Sequence, residues 1–416
     1  MPIRVLHVLD HSWPVLDGYA QRSRAIVNAQ VHLGMHVRVL TSSLHQADDP
    51  NAAEANVDGV RYSRTPITNR LSVRMIDGHW PVLREIAVVK ALQRRIEALT
   101  KAEIFDVIHA HSPALCGLAA LRAAQKQRIP FVYEVRSFWE DSALDGPKST
   151  GASLKYKLSR SLENFVLRRT DAIVGIAQPM LRDLETRGIA PAKLFCVPNG
   201  VDGGRFVPRA RDAALAESLG LNGSPTFGFI GTLFPWEGVS WLVKAAAELH
   251  RNGAAFKLFI VGDGVEGAEV RKVIGELGKP DYVQFLGRVP NEQIERYYSI
   301  MDVLIYPRVR ARITELVTPL KPLEAMALGK AVLGSNVGGI RELIQPDQTG
   351  MLFEPGDVQD FCRQATCLLQ SPLLRQKLGA QAREAICTGA DWKLLAQRYR
   401  NVYDAAIRTA TVRSRN

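Results

Sequence analysis

Apolar and polar positions along the chain switch repeatedly between two periods. Short apolar runs at 4–9, 37–41, 107–111, 131–135, 172–175 and 194–197 read as buried strands. The segments between them repeat apolar residues every three or four positions, which predicts helices at 21–33, 86–100, 112–125, 154–169 and 179–186. Two stretches break the pattern. Residues 42–80 are polar and irregular, read as a substrate-facing insertion with a hairpin around 57–64, and residues 136–153 form another long loop, rich in aromatic and acidic side chains.

After the sharp turn Pro198-Asn199-Gly200-Val201-Asp202 a second alternation begins. Strands are predicted at 226–231, 256–261, 283–285, 303–306 and 331–333, and helices at 238–250, 267–277, 291–299, 357–369 and 373–388. A short helix starts near Leu323, behind Pro319 and Pro322, and stops at Gly329; another follows Gly338-Gly339. Strands alternating with helices predict an α/β protein with parallel sheets. At 416 residues, two domains are expected: doubly wound units at 1–203 and 204–391, with a C-terminal helical segment, 392–416, expected to cross back to the first unit. The helix of that segment, 392–410, is longer than the second unit needs. Ligands of such sheets bind at the carboxyl ends of the strands, so a cleft between the units is expected.

Composition adds an electrostatic bias. Hydrophobic content of 46% and charged content of 23% are ordinary, but the net charge of +11 points to an anionic partner. Nucleotide phosphates and an anionic membrane face both fit. No dense Lys/Arg run with interleaved aromatics occurs, which argues against nucleic acid. The basic helix 154–169 is the expected membrane contact, with a solvated face as the plainer reading; the tail bearing Arg408, Arg413 and Arg415 reads as a frayed end. No apolar run of about 18 residues predicts a membrane span. The opening MPIRVLHVLD reads as a first strand rather than a leader, and the five cysteines as buried free thiols in a reducing cytoplasm.

Five stretches carry chemistry. TELVTPLKPLEAMALGKAVLGSNVGGIRE, from Thr314, sets Lys321 and Glu324 three residues apart at a helix start, facing the glycine pair Gly338-Gly339. A cation and a carboxylate beside a glycine turn suit a ligand with phosphates and sugar hydroxyls. VGDGVEG supplies Gly262, Gly264 and Gly267 in dinucleotide spacing, with Asp281 as a ribose acid; a nicotinamide oxidoreductase is therefore one alternative. GTLFPWEG turns after the first strand of the second unit without the lysine of a P-loop. DVIHAHS brings His109 and His111 to a strand's carboxyl end. Alternation is read here as turning them to opposite faces, leaving one histidine for the cleft and no zinc pair. EVRSFWED offers Arg136 for a phosphate or carboxylate, Trp139 for stacking on a sugar, and Glu140 or Asp141 for acceptor hydroxyls.

With VLHVLD, DVIHAHS, VPNGVD, FGFIGTLFPWEG, LFIVGDGVE, VQFLGRV, DVLIYP, PLEAMALGKAVLGSNVGGIRELI and TGMLFEPGD in this order, the chain resembles the family 4 glycosyltransferases of GT-B architecture. The resemblance implies two Rossmann-like domains and retaining transfer of a sugar from a nucleotide-diphosphate donor, with no bound metal or other cofactor. It implies a glycan or polyprenyl-linked saccharide acceptor, as in bacterial exopolysaccharide assembly, and a cytoplasmic enzyme peripheral to the membrane. By motif match, Glu324 holds the donor ribose, Gly338 and Gly339 lie near the diphosphate, and His111 contacts the transferred sugar. Gly18 and Tyr19 match a glycine loop, although Asp17 stands where a second glycine is usual; Gly264 and Arg288 match the surround of the base. Two departures matter. Thr232 and Glu237 stand where the family often has an Arg/Lys diphosphate clamp, and Glu315 is out of register for the usual paired glutamates. Lys321 is then the expected replacement, assisted by Arg308 or Arg310. A nucleotide-sugar-binding protein without activity remains the other alternative.

Overall fold

The computed structural model describes residues 2–15, 17–45, 54–66, 81–142, 154–221 and 223–415, and in them the two alternations become two separate sheets. By contacts the chain divides into Met1–Pro198 with Trp392–Asn416, and Asn199–Asp391.

The first unit carries β1 (Arg4–Leu9), β2 (His36–Thr41), β3 (Glu54–Val57), β4 (Val60–Ser63), β5 (Val107–His111), β6 (Phe131–Val135), β7 (Ala172–Gly175) and β8 (Leu194–Cys196), in the order β3-β4-β2-β1-β5-β6-β7-β8. Every pairing is parallel except β3 with β4. That hairpin turns at Asp58-Gly59, both at positive φ, the geometry a two-residue hairpin demands. The expectations for residues 46–53, 67–80 and 143–153 lie outside the described residues.

The helix Trp392–Arg415 belongs to this unit because its apolar residues recur at helical spacing. Trp392, Leu395, Ala396, Tyr399, Val402, Tyr403 and Ala406 are buried in one core with Val5, Ile26, Val107, Val132 and Val174. It continues to Arg415, and Arg413 donates to Asp171 at 2.8 Å, so the basic tail is not a frayed end.

The second unit carries β9 (Thr226–Ile230), β10 (Lys257–Val261), β11 (Val283–Gly287), β12 (Val303–Tyr306), β13 (Ala331–Ser335) and β14 (Met351–Phe353), all parallel, in the order β11-β10-β9-β12-β13-β14. Strand β14 is absent from the predicted set; three residues are too few for a periodicity to show. The incoming and outgoing chain are zipped by Val201 N–H on Ala390 O and Gly203 N–H on Asp391. Asn199 belongs here because its amide donates to Thr318 O at 2.6 Å.

Cys116 and Cys362 are buried as expected, Cys196 and Cys387 are half-buried, and Cys367 is exposed. Among the described residues, no helix is long and apolar enough to cross a membrane.

Candidate functional site

Because the second sheet is wholly parallel, the loops after β9 to β13 all leave it on one edge. The strand order reverses between β9 and β12, the position at which doubly wound sheets take ligands. Helix Lys321–Ala327, between β12 and β13, begins at this edge with a proline in its first turn. Its residues Lys321 and Glu324 share a face, with Nζ 3.1 Å from Oε2. Tyr298 donates its hydroxyl to the same oxygen at 3.2 Å, and Tyr306 donates to the Lys321 carbonyl at 2.9 Å. Glu324 is thus held beneath the surface, while the lysine keeps about a third of its side-chain exposure, 34%. Thr232 after β9 and Arg288 after β11 are exposed on this edge.

The glycine pair behaves differently from its expected role. Gly338 opens a four-residue helix, Gly338–Arg341, and gives its N–H to Glu315 Oε2 at 2.8 Å. A Cβ at Gly338 would strike the Glu315 carbonyl, and one at Gly339 the Val317 carbonyl. The Gly338 amide, expected near a diphosphate, is thus occupied by a carboxylate of the chain in this structure. These glycines are required by close backbone packing. Glu315, out of register for a sugar contact, has this task instead, with Arg310 at 3.7 Å and Arg341 at 3.4 Å.

VGDGVEG has a similar explanation. A Cβ at Gly262 would meet the Gly231 carbonyl and one at Gly264 the Leu233 carbonyl, while Leu233 N–H bonds Asp263 O at 3.1 Å. The glycines let two loops cross in contact. Asp281 cannot serve a dinucleotide from this turn: it precedes β11 and bonds Lys257, the first residue of β10, at the amino edge of the sheet. That removes the physical basis of the oxidoreductase reading.

In the first unit, β1, β5 and β6 set His7 beside His109, and His111 beside Glu134, in register. His109 and His111, two residues apart, share a face, with ring centroids 4.2 Å apart; the expected opposite orientation is wrong because side chains alternate every residue. All three rings are buried. Arg136 Nη2 donates to His111 Nδ1 at 2.7 Å, so His111 Nε2 carries the proton and donates to His7 Nδ1 at 2.8 Å. His7 Nε2 then donates to Gln30 at 2.9 Å, Gln30 to the Tyr403 hydroxyl at 2.8 Å, and Tyr403 to His109 Nδ1 at 3.0 Å. The chain ends with His109 Nε2 facing Glu134 Oε2 at 3.6 Å. Burial drives the protonation equilibria of all three below the usual histidine range, His7 to about 4, so the rings are neutral. Ligand atoms of the three rings lie within 4.8 Å of one another, and two of them are joined here by the hydrogen bond from His111 to His7.

Arg136 is part of this network, not an acceptor anchor. It donates to Glu134 at 2.9 Å, Ser23 at 2.7 Å and the Tyr19 carbonyl at 2.9 Å, under the Tyr19 ring. Glu134 also receives Arg22 at 3.0 Å and the Tyr399 hydroxyl at 2.6 Å. Glu140, expected at acceptor hydroxyls, is fully buried 2.8 Å from Arg187, whereas Trp139 is exposed after β6. Gly18 is exposed at the start of helix Gly18–His32, but Asp17 caps that helix by accepting from Ala20 N–H at 2.8 Å. Tyr19 is wedged against His11, its hydroxyl accepting from Asp10 N–H. His11 donates to Asp10 at 3.0 Å and Asp17 at 2.7 Å, which requires an imidazolium; burial opposes the charge, but the two carboxylates raise its pKa to about 9.

Sequence reasoning missed His7, Tyr298 and the Glu315–Gly338 contact. His7 had a signal: a histidine in each of two apolar runs that a parallel sheet places side by side. The others join residues that only the packed loops bring together.

Comparison with known proteins covers both units. Residues 17–200 match the glycosyl transferase 4-like domain and residues 212–385 the glycosyl transferases group 1 model. The chain is 30% identical to alpha-D-kanosaminyltransferase of Streptomyces kanamyceticus over 86% of its own length and 92% of the relative's. It is 26% identical to a GDP-mannose-dependent alpha-mannosyltransferase of Mycobacterium tuberculosis (strain CDC 1551 / Oshkosh), over 97% of each chain. The crystal structure of Anabaena Alr3699/HepE in complex with UDP superposes with a TM-score of 0.74 at 16% identity, covering 97% of this chain and 100% of that one; the fold is shared.

Proposed function

Since the chain belongs to the family 4 glycosyltransferases of GT-B fold, we propose that it moves a sugar, with retention of configuration, from a nucleotide-diphosphate sugar to a hydroxyl of a glycan or lipid-linked saccharide. The observation that carries this reading is the Lys321–Glu324 pair at the ligand-binding edge of the second sheet. A carboxylate anchored by a tyrosine accepts well from the two hydroxyls of a ribose. The lysine beside it opposes the charge that grows on the leaving diphosphate as the anomeric C–O bond breaks. With the Gly338 amide given to Glu315, cations rather than backbone donors carry that task. The acceptor then attacks the face from which the diphosphate departs, a phosphate oxygen taking its proton. Exopolysaccharide or other cell-surface glycan assembly is the setting proposed for the product.

A thermal-shift panel of GDP-, UDP-, ADP- and TDP-sugars tests the donor. The first to try is GDP-mannose, after the relative's name, and then UDP-glucose. A donor that binds only the folded chain raises its melting temperature. Release of nucleoside diphosphate without acceptor separates an enzyme from an inactive binder. A chain that none of the four donors stabilises refutes the reading.

The helix Leu154–Arg169 favours a peripheral membrane role. Leu154, Leu158 and Phe165 stand exposed at 72%, 59% and 42% at helical spacing, among exposed Lys155, Lys157, Arg160, Arg168 and Arg169. The helix's acid, Glu163, is buried. An apolar stripe flanked by cations suits an anionic bilayer surface and an acceptor on a lipid carrier. Flotation with vesicles containing anionic phospholipid is expected to carry the protein, and Leu158→Glu to abolish it; no flotation of the wild type refutes the membrane role.

A further inference from the structure

At the switch point of the second sheet, the loop after β9 meets the loop after β12. Val309 N–H bonds Trp236 O at 3.0 Å, and a Cβ on Gly238, at φ +69°, would strike the Pro307 carbonyl. Between these contacts lies Arg308, 3% exposed. Nη1 donates to Val317 O at 3.0 Å, and Nε lies 3.3 Å from Glu237 Oε1 without the geometry of a hydrogen bond. Among the described residues, Nη2 has no protein acceptor. A guanidinium so nearly buried normally has all its donors satisfied. This one is held by a carbonyl on one side and a carboxylate on another, with donors left over, at the edge where the fold takes ligands.

We propose that Arg308 binds the diphosphate of the donor and that Glu237 is its positioning residue. This rests on the donor reading above and assigns the second cation of that site. Lys321 is a mobile point charge, whereas a guanidinium presents paired donors that match two phosphate oxygens. Lys321 lies along Gly231, where the β9 loop begins, and Arg308 meets Glu237 near its end. A diphosphate held over this loop takes one cation from each side.

The test is calorimetric. GDP, UDP, ADP and TDP are titrated with their free nucleosides, and the tightest diphosphate is carried forward with its nucleoside. Arg308→Ala is expected to weaken the diphosphate by on the order of 10- to 100-fold while nucleoside affinity stays within about twofold, and Arg308→Lys to recover part of the loss. Glu237→Gln is expected to weaken the diphosphate in the wild type and to change nothing further in Arg308→Ala, because it acts through the arginine. Should Arg308→Ala not fold, Arg308→Met with Glu237→Gln removes both charges at similar volume and makes the same comparison. An unchanged ratio of diphosphate to nucleoside affinity without Arg308 overturns the proposal, as does an equal loss of both ligands. An effect of Glu237→Gln that persists without the arginine overturns the positioning role. If the wild type binds none of the four diphosphates, the donor reading falls, and this proposal with it.

Discussion

Replacing Glu134 by glutamine tests the buried network of the first unit. Oε1 accepts from Arg22 at 3.0 Å and Arg136 at 2.9 Å, and Oε2 accepts from the Tyr399 hydroxyl at 2.6 Å. A glutamine can turn its NH2 toward Tyr399, whose hydroxyl rotates to accept, and keep a carbonyl oxygen for the two arginines. Shape and hydrogen-bond count survive; the negative charge does not. Two nearly buried guanidinium groups, 3% and 6% exposed, then lose their shared counter-ion. Breaking a buried ion pair costs about 3–5 kcal/mol. For a unit of this size each kcal/mol moves the melting temperature by about 2–4 °C, so calorimetry should show the first unit's transition falling by roughly 6–20 °C. Tyr399→Phe removes one hydrogen bond to the charged group and should cost less, about 1.5–3 kcal/mol. A Glu134→Gln transition within about 2 °C of wild type would refute the reasoning, since it would mean the two arginines are solvated enough to need no counter-charge.

Three further outcomes are expected. With donor saturating, Lys321→Ala should lower kcat by about 100-fold, the lower end of an oxyanion contact because the lysine is part-exposed; an unchanged kcat removes Lys321 from the chemistry. The pKa of His11 is raised to about 9, so its stabilisation of the loop before Gly18 is full below the unfolded value near 6.5 and is lost as pH rises through 9. The melting temperature should fall over that window in the wild type but not in His11→Gln, and parallel profiles would contradict the assignment. Finally, Gly262→Ala should destabilise by more than about 2 kcal/mol, because its Cβ meets the Gly231 carbonyl at φ +127°. Gly275→Ala, in an exposed helix with open space around it, should stabilise by about 0.5–1 kcal/mol; urea unfolding of both distinguishes packing glycines from merely permissive ones.

Local pattern determined much of this protein. Apolar runs and helical spacing were enough to place most strands and the long helices, because each element must bury its own apolar face wherever it lies. The spacing of Lys321 and Glu324 put them on one face of a helix, and the pair is there. The face of each histidine in DVIHAHS was also legible, since parity along a strand decides it. What surrounds those side chains was settled only when distant segments met. Gly338 lost its amide to a glutamate 23 residues away, and Arg136 found its partners on Tyr19, Ser23 and His111. Glu140 passed beneath the surface to Arg187. Arg308 met Glu237 because the strand order reverses between β9 and β12, a fact of topology that no window of sequence contains. Spacing along the chain decides which side chains point the same way. The packed fold decides which charges and amides are already taken, and so which are left for a ligand.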